Sequence, residues 1–114
     1  MILNHIHLQV RDLNAAVVWF DTILQIQPGF QNERMATFSL DSMTLIFDAA
    51  NQDVLATVGF ESDDCDRDFQ IVIKRGAIAL EAPTNKGWGV RTAYFKGPGA
   101  LKFEIEGPVT NQQS

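Results

Sequence analysis

The order strand, acidic cap, helix, breaker, short strands occurs twice along the 114 residues, and this internal repeat limits the possible fold more than any single motif does. In the first half Ile6, Leu8 and Val10 alternate with His5, His7 and Gln9, the period of two that marks a half-buried strand. Asp12 can accept the free amide hydrogens of a first helical turn. Leu13, Ala16, Val17, Phe20 and Leu24 then follow at helical spacing and predict a helix over 13–26, ended by Pro28-Gly29. Strands are expected over 35–40 and 43–49, around a turn at Asp41-Ser42, with a polar link over 50–55. The second half predicts a strand over 57–62 and a cap at Asp63 or Asp64. Its helix reaches about residue 75, where Gly76 supplies the left-handed residue that stops it. A short strand over 77–81, a loop over 83–89 containing Trp88, and a hairpin of 90–96 with 101–106 around Gly97-Pro98-Gly99 complete it. The polar tail from Thr110 to Ser114 is expected to fray.

Laid over each other, His5-Ile6-His7-Leu8-Gln9-Val10 falls on Thr57-Val58-Gly59-Phe60-Glu61-Ser62, and Ala36-Thr37-Phe38 on Ala93-Tyr94-Phe95. Leu45-Ile46-Phe47 is matched with Lys102-Phe103-Glu104. The expected class is α+β: two βαβββ modules, about residues 1–52 and 53–108, forming a curved mixed sheet with helices on the outer face. The length suits one domain over residues 1–114, and eight Phe residues supply apolar surface for a core.

Composition narrows the partners. A net charge of -5 speaks against nucleic acid, which rewards clustered cations, and is compatible with cationic ligands. No apolar run reaches the roughly 20 residues of a membrane helix. The start, Met1-Ile2-Leu3-Asn4-His5, lacks the basic and apolar regions of a signal peptide, so a cytoplasmic protein without membrane partners is expected. Cys65 sits among Asp63, Asp64 and Asp66, whose negative field opposes a thiolate, and reads as structural. Glu61, Asp63, Asp64, Asp66 and Asp68 lack the spacing of a calcium loop and read as a solvated helix cap. No Gly-rich loop opens a helix and no Ser stands on a G-x-S-x-G turn, which removes two common kinds of chemistry.

The runs His5-x-x-Leu8-x-Val10-x-Asp12-Leu13, Trp19-Phe20, Gly76-Ala77, Trp88-Gly89-Val90-Arg91-Thr92-Ala93-Tyr94-Phe95, and Gly97-Pro98-Gly99 before Lys102-Phe103-Glu104 carry a resemblance over nearly the whole chain. In their order and spacing the chain resembles the vicinal oxygen chelate superfamily, which includes glyoxalase I, extradiol dioxygenases, fosfomycin resistance enzymes and bleomycin resistance proteins. Metal-dependent members place four ligands on the inner faces of four strands, and the resemblance maps these positions onto His5, Phe47, Thr57 and Glu104. Phe47 cannot ligate, and a neutral Thr57 hydroxyl is a poor ligand for a divalent ion. His7 and Glu61 share strand faces with His5 and Thr57. Asp48 is expected to point away from Phe47.

The expected function is therefore non-catalytic binding of a small organic molecule, similar to the metal-free bleomycin resistance branch, without a cofactor. The expected contact residues are His5, His7, Phe47, Thr57, Glu61, Trp88, Arg91 and Glu104. Phe47 and Trp88 would stack on an aromatic ligand, and Glu61 and Glu104 would attract a cation. The alternative is a divalent-metal enzyme of the lyase, isomerase or oxidoreductase type, in which His5 and Glu104 hold the ion. The resemblance further implies a homodimer with shared cavities, so that His5 and Glu104 of one site come from different chains.

Overall fold

A computed structural model describes residues 1–110, so the expected fraying of residues 111–114 lies outside the described residues. The chain forms two compact units: Met1–Leu55 with Pro98–Ala100, and Ala56–Gly97 with the residues from Leu101 on. Each carries its own four-stranded mixed sheet and its own helix, so the α+β reading as two βαβββ modules holds.

In the first unit β1 (His5–Val10) leads into α1 (Leu13–Trp19), and the Asp12 carboxylate accepts the Ala15 N–H at 3.0 Å as foreseen. The helix does not run regularly to residue 26. From Phe20 to Leu24 it widens into a π-helical turn, and Gln25, at φ 57°, ends it in the left-handed region. Ile23 joins Leu13, Ala16 and Phe20 in the core, and Leu24 is half-buried. Strands β2 (Phe30–Gln31), β3 (Met35–Leu40) and β4 (Met43–Ala49) complete the sheet in the order β1-β4-β3-β2, with β1 parallel to β4 and the other neighbours antiparallel. The two-residue β2 is the strand absent from the sequence reading.

In the second unit β5 (Ala56–Glu61) precedes α2 (Cys65–Lys74). Asp64, the second of the two candidate caps, accepts the Arg67 N–H at 3.0 Å. Gly76, at φ 104°, follows the helix. Strands β6 (Ala79–Asn85), β7 (Val90–Lys96) and β8 (Leu101–Pro108) give the order β5-β8-β7-β6, again with one parallel pair, β5 with β8. Strand β6 runs beyond the expected 77–81 and includes Pro83. It is an edge strand with two register shifts against β7, and an edge tolerates a residue without an amide hydrogen. The expected loop over 83–89 thereby shrinks to the turn around Gly87 and Trp88.

Each core lies between helix and sheet. In the first unit the Phe20 ring stacks on Phe38 at 4.2 Å and meets Phe47 edge-on at 5.3 Å. In the second, Phe103 stacks between Phe60 and Phe95, each at 5.6 Å. Such ring pairs add about 0.5–1.5 kcal/mol each beyond the area they bury. Among the described residues no helix is long and apolar enough to cross a membrane.

Candidate functional site

Strand alternation sorts the candidate residues by face. A side chain on one face of each sheet packs under the helix, and its neighbours in the chain point to the helix-free face. The pairing Leu8 with Phe47 in the first unit corresponds to Phe60 with Ile105 in the second. Phe47 is thus the counterpart of Ile105, and Ile46 that of Glu104. The sequence match of Leu45-Ile46-Phe47 with Lys102-Phe103-Glu104 is one residue out, and a slip of one residue moves every side chain to the opposite face.

Two expected contact residues are corrected by this geometry. Phe47 is 0 % exposed and belongs to the Phe20–Phe38 cluster, so it walls no cleft. An aromatic side chain at a core position buries more apolar area there than anywhere on the surface. Arg91 is also turned to the helix side. Its Nε and Nη2 donate to the two Asp66 carboxylate oxygens, each at 3.0 Å, and Nη1 donates to Asn85 Oδ1 at 3.2 Å. The forked guanidinium ties β7 to the first turn of α2, and Asp66 raises its pKa further.

The helix-free face of the first sheet carries His5, His7 and Gln9 from β1 and Thr44, Ile46 and Asp48 from β4. His7 Nδ1 donates to Asp48 Oδ2 at 2.6 Å, and His5 Nδ1 to Asn4 Oδ1 at 2.7 Å. The two imidazoles stand edge to face with centroids 5.5 Å apart. A depression of ≈ 380 Å³ bounded by Asn4, His5, Ser39 and Thr44 lies beside them.

The helix-free face of the second sheet carries Thr57, Gly59 and Glu61 from β5, Lys102, Glu104 and Glu106 from β8, and Tyr94 from β7. The Tyr94 hydroxyl donates to Glu104 Oε2 at 2.6 Å. That bond, followed by burial and the Glu104 charge, raises the phenol pKa above its ordinary value. Gly59 lies opposite Glu104, and a Cβ there would come within 3.3 Å of Glu104 Oε1. The missing side chain leaves the carboxylate uncovered on that side. Lys102 Nζ stands 4.9 Å from the Tyr94 ring centroid. Beside this group Thr92 is 0 % exposed and its Oγ1 has no partner of hydrogen-bonding geometry, although it lowers the neighbouring phenol's pKa slightly.

Of the eight expected residues, the structure brings His5 to His7 in one unit and sets Thr57, Glu61 and Glu104 on one face in the other. Trp88 is 70 % exposed on the β6–β7 turn. Asp48, Tyr94 and Thr92 were missed. Asp48 comes to the face of His7 only through the register of β4 against β1. The hairpin register around Gly97-Pro98-Gly99 sets Tyr94 opposite Glu104. Cys65 accords with its structural reading: burial first, then Asp66, pushes the thiol up to about 11.

A four-ligand ion does not fit the positions that the resemblance implies. Phe47 lies in the core, its true counterpart Ile46 has no donor atom, and Thr57 offers a neutral hydroxyl. Among the described residues no three His, Cys, Asp or Glu groups come together in a way that could hold a metal.

No family model matches the chain, and no curated protein does. Solved structures do. A glyoxalase/bleomycin resistance protein/dioxygenase from Nocardioides superposes with a TM-score of 0.83 at 18% identity, covering 98% of this chain and 86% of that one. Lactoylglutathione lyase from Agrobacterium tumefaciens gives 0.80 at 14% identity, over 93% and 92%. TioX from Micromonospora sp. ML1 gives 0.75 at 17% identity, over 96% and 100%. Two βαβββ modules with these strand orders, matched along almost their full length in such neighbours, give the chain the vicinal oxygen chelate fold.

Proposed function

We propose that the chain binds a small organic cation without transforming it, through Glu104 on the helix-free face of the second sheet. The observation that carries this reading is the state of the Glu104 carboxylate. It is half-buried, its partner is the neutral Tyr94 hydroxyl and not a cation, and Gly59 leaves Oε1 uncovered. A carboxylate oriented by one hydrogen bond, with a free oxygen, is suited to an ammonium or amidinium group. Glu61 and Glu106 on the same face add negative field that exceeds the single charge of Lys102 beside the Tyr94 ring, and the net charge of -5 adds more at long range. The half-buried Tyr94 ring supplies the apolar contact that a binding site combines with a few polar groups.

Tyr94 is the chain's single tyrosine, so phenolate absorbance reports on the site directly. Its raised pKa means that the Glu104 bond stabilises the fold below the phenol's ordinary value and is lost as pH rises through the raised one. In the test, phenol titration and calorimetry are run with benzyltrimethylammonium as a probe and neutral benzyl alcohol as its control. The cation is expected to bind and to lower the phenol pKa. Glu104→Gln is expected to lower that pKa by itself and to weaken cation binding at least tenfold, about 1.4 kcal/mol. Equal affinity of Glu104→Gln and wild type would sink the proposal. So would a tightly held metal in the purified chain that disappears in Glu104→Gln, since that would favour the metal-dependent reading.

A further inference from the structure

The chain's two histidines stand on the same face of one strand, separated by a single residue. Both have the same ring nitrogen occupied. An ionised carboxylate and an amide oxygen only accept hydrogen bonds, so Asp48 Oδ2 and Asn4 Oδ1 require Nδ1–H on His7 and His5. In a neutral imidazole this leaves the lone pair on Nε2, and neither Nε2 has a partner among the described residues. Donation of one ring N–H to an oxygen while the other nitrogen stays free is how ligating histidines are oriented at metal centres.

The spacing agrees. Two imidazoles on a tetrahedral ion, with metal–nitrogen bonds of about 2.0–2.1 Å, place their centroids about 5 Å apart. The observed separation is 5.5 Å, with the rings at 74°. The side chains are accessible, with His7 53 % exposed, and the depression of ≈ 380 Å³ bordering His5 leaves room for water or a small co-ligand.

We propose that His5 and His7 form a two-nitrogen chelate for a divalent transition ion, with Asp48 and Asn4 as its positioning residues. The site lies wholly in the first unit. It shares only His5 with the ligand set that the resemblance implies, and it is independent of Glu104. Two imidazoles without thiolates favour Cu²⁺ most, then Ni²⁺ and Zn²⁺. Asp48 spends Oδ2 on His7 and acts through that ring, in keeping with the absence of a three-residue metal cluster among the described residues.

Calorimetric titration of the tag-free full chain with Cu²⁺, Ni²⁺ and Zn²⁺ salts, in a non-coordinating buffer, tests the site. One ion per chain is expected, with the two imidazole NMR signals perturbed together. His5→Ala and His7→Ala should each weaken binding at least tenfold. Asp48→Ala should weaken it about tenfold at unchanged stoichiometry, the usual loss for an orienting partner. Glu104→Gln should bind as wild type. Circular dichroism establishes that each variant is folded. No binding by wild type, wild-type affinity in His7→Ala or Asp48→Ala, or a loss in Glu104→Gln equal to that in His5→Ala would each overturn the proposal. Failure here leaves the Glu104 proposal standing, since the two tests read different variants and different probes.

Discussion

The two modules agree on one face of the sheet and disagree on the other. On the helix side, Leu8 corresponds to Phe60, Phe47 to Ile105, Ala36 to Ala93 and Phe38 to Phe95, and every one of these is apolar. On the helix-free side, His5 corresponds to Thr57, His7 to Gly59, Ile46 to Glu104, Thr37 to Tyr94 and Asp48 to Glu106. Chemical type is kept where close packing demands it. Where it does not, the first module carries two imidazoles beside Asp48, and the second carries Glu61, Glu104 and Glu106 with Tyr94. The repeat therefore specifies a frame, and the chemistry of each half has to be read residue by residue.

The sharpest way to break this division is at Phe47, which the sequence reading put on the binding side. As a fully buried ring in contact with Phe20 and Phe38, its truncation leaves a cavity. Phe47→Ala is expected to destabilise the fold by about 3–5 kcal/mol. The measurement is urea unfolding, where the midpoint falls at unchanged slope. A stable Phe47→Ala variant that has lost only ligand affinity would return Phe47 to the cleft and undo the assignment of faces.

A smaller effect tests the helix attachments. Arg91 is 11% exposed and grips Asp66, whereas its counterpart in the first module, Arg34, is exposed. Charged hydrogen bonds of the Arg91 kind contribute about 1.5–3 kcal/mol when sheltered, and the 46 % exposure of Asp66 lowers that range. Arg91→Ala is expected to cost about 1–2 kcal/mol, and Arg34→Ala less than about 0.5 kcal/mol. Equal costs in thermal unfolding would show that Arg91 does not clamp α2 to the sheet.

What was legible in the sequence follows the same division. The strand β1, the Asp12 cap, a second cap at Asp63 or Asp64 and the β7–β8 hairpin were readable because each rests on a local rule: alternation, capping, turn chemistry. The face of β4 was not, because Leu45-Ile46-Phe47 is apolar throughout and shows no period of two. Only its pairing with β1, forty residues away, decides the register. Pro83 suggested a loop because its tolerance depends on lying at a sheet edge, which is a tertiary property. The π-helical turn at Phe20–Leu24 has no local signature in the residues 20–24. Of the candidate site, His5, His7 and Glu104 were visible as chemical types. Their partners Asp48 and Tyr94 come from cross-strand geometry.

The smallest expected difference between the modules lies at the caps. Asp12 caps a helix whose first turn has no other acid, while Asp64 is followed by Asp66 and Asp68. Loss of a capping carboxylate costs about 1 kcal/mol, because an amide of the first turn loses its acceptor. In α1 that loss leaves a first turn with no acid of its own. In α2 two carboxylates remain. Asp68 stays ionised well into acid: burial pushes its pKa up, but hydrogen bonds from Ser62 and Arg67 outweigh it and hold the pKa below the ordinary value. Its contribution is therefore present above the ordinary carboxylate range and is lost only as pH falls through the depressed value. Asp12→Ala is accordingly expected to cost a few tenths of a kcal/mol more than Asp64→Ala at neutral pH, the size of one charge–dipole interaction. Urea unfolding at neutral pH and again below the carboxylate range measures both. The gap should close only as pH falls through the depressed Asp68 value, where that carboxylate of α2 is lost. A gap that persists there would place its cause in the packing of α1 and not in charge.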